Sequence, residues 1–173
     1  MKFYIAEILA LFAWILLIVS FWKNKDNKLL FIQIIANILF LLNYIFLHAY
    51  TGLFIVIFEA IRDYIYIKIK DDRKVFFLTL PVYLVIGLFS FNGIISLVSI
   101  LASINDGYSL IYHGKRVVLL GIITYALWLI YDMYYLNYVN VFAEGIIIIS
   151  NILILHKQKN KLFIFRRCGF WKP

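Results

Sequence analysis

Apolar runs about as long as a bilayer is thick follow one another along this chain, broken only by short polar connections. They cover roughly residues 3–22, 29–48, 51–69, 75–91, 93–112, 117–136 and 139–156. A hydrocarbon core about 30 Å thick takes about 20 helical residues at about 1.5 Å each, so the pattern predicts seven membrane-crossing helices. The connections alternate in charge. All but Lys2 and Arg62 of the 17 Lys and Arg lie in residues 23–28, 68–74, 113–116 and the tail from residue 157. The connections near residues 48–51, 91–92 and 136–140 carry no Lys or Arg. Basic loops stay on the cytoplasmic side, which puts the N-terminus outside and the C-terminus inside. The first run reads as a retained helix, not a cleaved leader, because it is too long and no small-x-small site precedes Lys23.

Composition strengthens this reading. Hydrophobic residues make up 65% of the chain and its mean hydropathy is +0.93, against about 45–50% apolar in soluble domains. The expected surroundings are therefore a lipid bilayer. The net charge of +8 falls on the predicted cytoplasmic rim, where anionic lipid attracts it, and no nucleic-acid partner is expected. The single cysteine, Cys168, can form no internal disulfide.

Internal repetition comes next. Shifting the chain by 88 positions lays helices two and three on helices six and seven without a gap: Leu39–Leu42 on Leu127–Ile130, Tyr50 on Tyr138, and Asp63 on Asn151. Near a shift of 90, Trp22 before the first basic loop meets Tyr112 before the third. Turn positions and loop charges align along with the Leu/Ile-rich segments. The expected fold class is an all-α membrane protein of seven helices in a 3+1+3 order. Residues 1–74 and 92–157 form two parallel triple-helix repeats, 75–91 is a linker helix with Pro81, and 158–173 is a basic-aromatic tail expected in the inner interface.

Residues 43–52 (NYIFLHAYTG) and 59–63 (EAIRD), set in this layout, resemble the YgjV-type family of small bacterial inner-membrane proteins, within the SWEET, PQ-loop and nicotinamide-riboside transporter superfamily. The resemblance covers residues 1 to about 157. It implies residence in the bacterial plasma membrane, two triple-helix bundles around one central pathway, a mid-membrane site and alternating access. It also implies substrate contacts from one polar residue on the third helix of each half, here Asp63 and Asn151. The relatives' hinge prolines are missing, since helices one and five contain no Pro.

Ionisable side chains at membrane depth cost about 2.5–3.5 kcal/mol each on insertion scales and need a partner or water. Seven occur here: Glu7, Glu59, Arg62, Asp63, Asp106, Asp132 and Glu144. Glu59, Arg62 and Asp63 share one helix face, where Arg62 reaches either carboxylate; the alternatives are a ligand site and a plain buried salt bridge. Asn140, Glu144 and Asn151 form a stripe on helix seven, read either as path-lining or as capping at the outer end. Glu144 has Val56 as its counterpart under the repeat, so the pathway is chemically asymmetric, as a site for an asymmetric solute, a cationic one included, would need. Ser99, Ser103 and Asp106 share a stripe on helix five, suited to close helix approach, with Asp106 expected to line water or meet Arg62. Helix two presents Gln33, Asn37 and Tyr44; helix six presents Tyr125, Trp128, Asp132 and Tyr135; helix one presents Glu7 and Trp14. Trp14 and Trp128 lie near mid-membrane, where each either packs in the core or contacts a flat solute.

Catalysis has no support: the sequence holds no His-Glu-x-x-His, Gly-x-Ser-x-Gly, phosphate loop or Cys pair, so an enzyme is not expected, nor a cofactor or metal. A retinal protein is excluded because no Lys is buried in the membrane. The expectation is a facilitator or secondary carrier for a small polar metabolite, with Asp63, Asn151, Glu59, Arg62, Glu144, Asp106, Trp14, Trp128 and Asn37 along the path. The alternative is a non-transporting binding or scaffold protein, or an ion-conducting homo-oligomer, with the same bundle.

Overall fold

The computed structural model describes residues 2–21, 26–69 and 71–158. They form seven helices and no strand: α1 (Lys2–Phe21), α2 (Asp26–Phe46), α3 (Tyr50–Ile69), α4 (Asp72–Phe89), α5 (Ile94–Ser109), α6 (Lys115–Tyr134) and α7 (Tyr138–Gln158). Each lies within a few residues of an apolar run in the sequence. The basic-aromatic tail lies outside the described residues, as do Trp22 and most of the first basic connection.

By length and composition, three windows among the described residues can cross a bilayer: Lys2–Val19, Lys115–Tyr134 and Tyr138–His156. Polarity is reversed from that of a soluble bundle. The outward faces carry exposed Ile, Leu and Phe such as Ile8, Phe31, Leu88, Phe89 and Phe142, while Asn43, Thr51, Ser96, Ser99, Ser103, Asp132, Asn137 and Glu144 are buried. In lipid no hydrophobic effect draws helices together, so small residues and interhelical hydrogen bonds must do it. Ser96, Ser99, Ala102, Ser103 and Gly107 form the buried stripe of α5, and α4 approaches it so closely that a Cβ on Gly87 would stand 2.7 Å from Ile100 Cδ1. On the next side of α5, Asn105 donates to Leu120 O and Thr124 Oγ1, both at 2.8 Å, joining α5 to α6.

Neighbouring helices form a closed ring. Going round, α1 packs on α2, α2 on α3, α3 on α5, α5 on α6, α6 on α7, and α7 returns to α1. Among the described residues α4 touches only α3 and α5, so it sits on the outside of the ring where those two meet. Its first turn is capped by Asp71, whose side chain accepts from Lys74 N at 3.1 Å. Pro81 lies inside α4, exposed, and a helix at membrane depth tolerates it when neighbours satisfy the freed backbone.

The turns from α2 to α3 and from α6 to α7 have the same geometry. In the first, His48 N bonds Ile45 O at 3.2 Å and Ala49 N bonds Tyr44 O at 3.0 Å; in the second, Leu136 N bonds Met133 O at 3.2 Å and Asn137 N bonds Asp132 O at 3.0 Å. These are paired Schellman closures. Each needs one left-handed residue, and they fall on His48 (φ 56°) and Leu136 (φ 59°), 88 positions apart. Neither is glycine, so each turn holds a conformation that L side chains disfavour.

The remaining contacts at the turn end tie the ring together. Glu7 of α1 reaches the start of α7, its carboxylate oxygens accepting from Tyr138 N at 3.0 Å and Val139 N at 2.8 Å. An acid there meets unpaired N–H groups and the positive end of the helix dipole, which gives this membrane-depth acid a structural role. On the opposite side Thr51 of α3 donates to Ser90 O (2.8 Å), with Ser96 Oγ at 3.0 Å.

Candidate functional site

Two polar assemblies occupy the interior. The first is a hydrogen-bonded plug at the turn end. Asp132, fully buried near the end of α6, accepts from Asn137 Nδ2 (3.0 Å) on Oδ1, and from Tyr44 Oη and Asn140 Nδ2 (both 3.2 Å) on Oδ2. Asn137 also donates to Asn43 Oδ1 at 2.9 Å, and Asn43 donates to Ala6 O at 2.9 Å. Asn140 accepts at its other end from Trp14 Nε1 at 2.8 Å. Four helices, α1, α2, α6 and α7, and the turn before α7 are therefore joined in one network around this carboxylate. Beside them Tyr131 Oη accepts from Gly52 N at 2.7 Å, a contact that needs glycine, because a Cβ on Gly52 would stand 3.0 Å from both Tyr131 Cε1 and Oη.

The second assembly borders a void. A cavity of about 140 Å³ is lined by residues of α1, α2, α3, α5, α6 and α7, and by none of α4. One wall is aromatic: Trp14, Phe40, Tyr44, Tyr125 and Trp128. Tyr44 stacks on Trp128 with ring centroids 6.3 Å apart and planes at 24°. Among the described residues, the charged side chains on the cavity are Glu59, Arg62, Asp106 and Glu144. Arg62 Nη1 pairs with Asp106 Oδ2 at 2.9 Å and also donates to Tyr83 Oη at 3.2 Å, so α3, α4 and α5 share one guanidinium. Glu144 lies one helical turn beyond Asn140 on α7 and interacts with Asp132.

Of the residues expected along a path, Trp14, Asn37, Glu59, Arg62, Asp106, Trp128 and Glu144 line this one cavity. Asn151 does not: it packs against α6, its Nδ2 standing 3.4 Å from where a Cβ on Gly121 would be. Asp63 sits toward the C-terminal end of α3, and its side chain, like that of Gln33, lies outside the described residues. Asn43, Asn137 and Tyr131 join the site in addition to the residues expected from the sequence. Asn43 stands inside the NYIFLHAYTG stretch, and a buried amide beside a turn was the available signal; Asn137 and Tyr131 have no sequence signal independent of the packing that joins them to Asn43 and Gly52.

These helices and polar groups fit a bilayer, and a comparison with family models gives the chain its relatives. The Imp-YgjV model, described as a bacterial inner membrane protein, matches residues 4–161. The chain belongs to this family. Membrane residence of the Imp-YgjV chain thus rests on both the family match and the apolar helices. Searches of the curated proteins and of the solved structures find no match.

Proposed function

We propose that this Imp-YgjV protein is a seven-span carrier, N-terminus outside, that moves a small polar solute through the central cavity by alternating access of two parallel triple-helix halves, with α4 as the link between them. The neighbour relations of the ring support the repeat. Replacing α1, α2 and α3 by α5, α6 and α7, and the reverse, carries every ring contact onto another ring contact. The two matching turns 88 positions apart support it independently.

One observation carries the transport reading: residues at matching positions of the two proposed halves line one void. Asn37 with Tyr125, Phe40 with Trp128, and Val56 with Glu144 are pairs at a separation of 88, and all six line the cavity. A solute held there touches both halves, so rocking one against the other changes its access. The bonded plug around Asp132 serves as the gate at the turn end, which the charge distribution puts outside. A scaffold would need no such void.

The test uses Val56→Cys in a Cys168→Ser background, in proteoliposomes supplied with a metabolite panel. A thiol reagent that adds bulk at position 56 is expected to abolish uptake of whichever solute the unmodified protein moves. Undiminished uptake after complete modification rejects the cavity as the path. Absence of uptake for every solute in the panel counts for the scaffold.

A further inference from the structure

The lining of the cavity defines a class of solute. Glu144 is only 4% exposed, and its Oε2 is buried without a hydrogen-bond partner, although the residue borders the void. A buried carboxylate oxygen left unbonded has lost its hydration without replacement, and a bound cation would compensate it. Beside it, Asp132 is bonded to three neutral donors and to no cation. Two adjacent carboxyls in a low-dielectric interior call for one positive charge between them. Among the described residues no group of three His, Cys, Asp or Glu side chains gathers as a metal site would require.

The aromatic wall completes the picture. Trp14 spends its N–H on Asn140, Tyr44 spends its O–H on Asp132, and both ends of the Asn140 amide are engaged. What Trp14 and Tyr44 offer a guest is ring surface, which attracts cations and does little for a polyhydroxy solute. Across the void Arg62 is neutralised by Asp106, so it opposes a cation less than its charge implies. A cavity of about 150 Å³ holds a guest the size of benzene, and this one is about 140 Å³.

We propose that the cavity binds an organic ammonium ion of about six to eight heavy atoms, its charge on Glu144 and its alkyl groups against Trp14, Phe40, Tyr44, Tyr125 and Trp128. Binding exchanges it for a proton: the carboxylic acid at the Asp132–Glu144 pair loses its hydrogen to solvent, and the resulting carboxylate pairs with the ammonium. The other titratable or charged groups around that pair are Tyr44 from α2, Glu59 and Arg62 from α3, Asp106 from α5, and Tyr125 and Tyr131 from α6. This inference deepens the carrier reading and rests on it for transport, but not for binding.

Binding of choline and of its uncharged carbon isostere, 3,3-dimethylbutanol, is measured by calorimetry on the purified full-length protein between pH 6 and 8. Choline is expected to bind at least about tenfold more tightly than the isostere. Its affinity should rise with pH by up to about tenfold per unit, the limit for one released proton. Glu144→Gln should lose both the preference and the pH dependence, and Trp128→Leu should weaken choline severalfold while keeping the pH slope. The wild-type comparisons need no variant, so a misfolded Glu144→Gln leaves them decisive. Equal binding of the isostere, an affinity for choline independent of pH, or undetectable choline binding overturns the proposal. If a neutral metabolite is carried while choline does not bind, the solute class is wrong and the carrier stands. If choline binds as described but neither it nor any panel solute crosses proteoliposomes, the site stands and the carrier falls.

Discussion

The α2–α3 hairpin and the α6–α7 hairpin share one backbone and divide the chemistry unequally. Their turns share the same Schellman closure, yet at matching positions the first has Tyr44, Ala49, Gly52 and Val56 where the second has Asp132, Asn137, Asn140 and Glu144. The second hairpin supplies the carboxylates and amides, and the first supplies a phenol, small residues that let the other hairpin approach, and an apolar wall. Main-chain geometry depends on helix length and turn closure, so it survives such side-chain divergence. A binding site depends on individual polar atoms and does not. The difference also works across the interface: Tyr44 donates to Asp132, its own counterpart.

The strongest way to break the comparison is to remove a charge that one hairpin has and the other lacks. Arg62→Leu, which strands Asp106 on the cavity, is expected to cost about 3–5 kcal/mol in thermal unfolding of the detergent-solubilised protein. Ser150→Leu, at the matching and exposed position of α7, should stay within about 0.5 kcal/mol. Comparable losses would mean that Arg62 is not a structural anchor.

Next is the hydrogen-bonded pair of counterparts. Asp132→Ala leaves Tyr44, Asn137 and Asn140 without their acceptor and should cost on the order of 3 kcal/mol or more. Tyr44→Phe removes one of three donors and should cost about 1 kcal/mol. The same unfolding measurement decides, and a larger loss for Tyr44→Phe would refute the account of the plug.

Glycine substitutions give a smaller contrast. Gly52→Ala forces a methyl against Tyr131 and is expected to destabilise by about 1–3 kcal/mol. Gly145→Ala meets open space and should be neutral or stabilise by up to about 1 kcal/mol through helix propensity. Similar unfolding midpoints for the two variants would contradict the close packing of the first hairpin on α6.

At the turns the hairpins should respond alike. Replacing His48 or Leu136 with Gly relieves left-handed strain and is expected to shift stability by the same small amount, under about 1 kcal/mol. A gain at one site alone would separate the turns energetically despite their common geometry. The smallest effect lies away from both hairpins, at the exposed cap of α4. The backbone N–H of Lys74 holds the Asp71 carboxyl below its ordinary range, so the contribution of the cap is present above the unfolded-state value and is lost as pH falls through the lower folded one. Protection factors of the first-turn amides of α4, which correct for the intrinsic pH dependence of exchange, should fall on that acidification, and Asp71→Asn should remove the dependence.

The sequence by itself determined the seven helices and the positions of their turns, because uninterrupted apolar length and the polar breaks between runs are one-dimensional properties that each segment carries alone. It also placed Trp14, Asn37, Glu59, Arg62, Asp106, Trp128 and Glu144 as candidates for the interior, since a polar or amphipathic group at membrane depth must avoid lipid wherever its helix goes. Only the tertiary structure decided which of these groups meet. Glu7 leaves the interior to cap α7, Arg62 pairs across helices with Asp106, and Asn151 faces Gly121 instead of the void. The same holds for the plug around Asp132, whose partners come from α2, α7 and the turn before it. Hydrogen bonding is decided within about 3 Å, and that precision arises from the packing of several helices at once, not from the periodicity of any one.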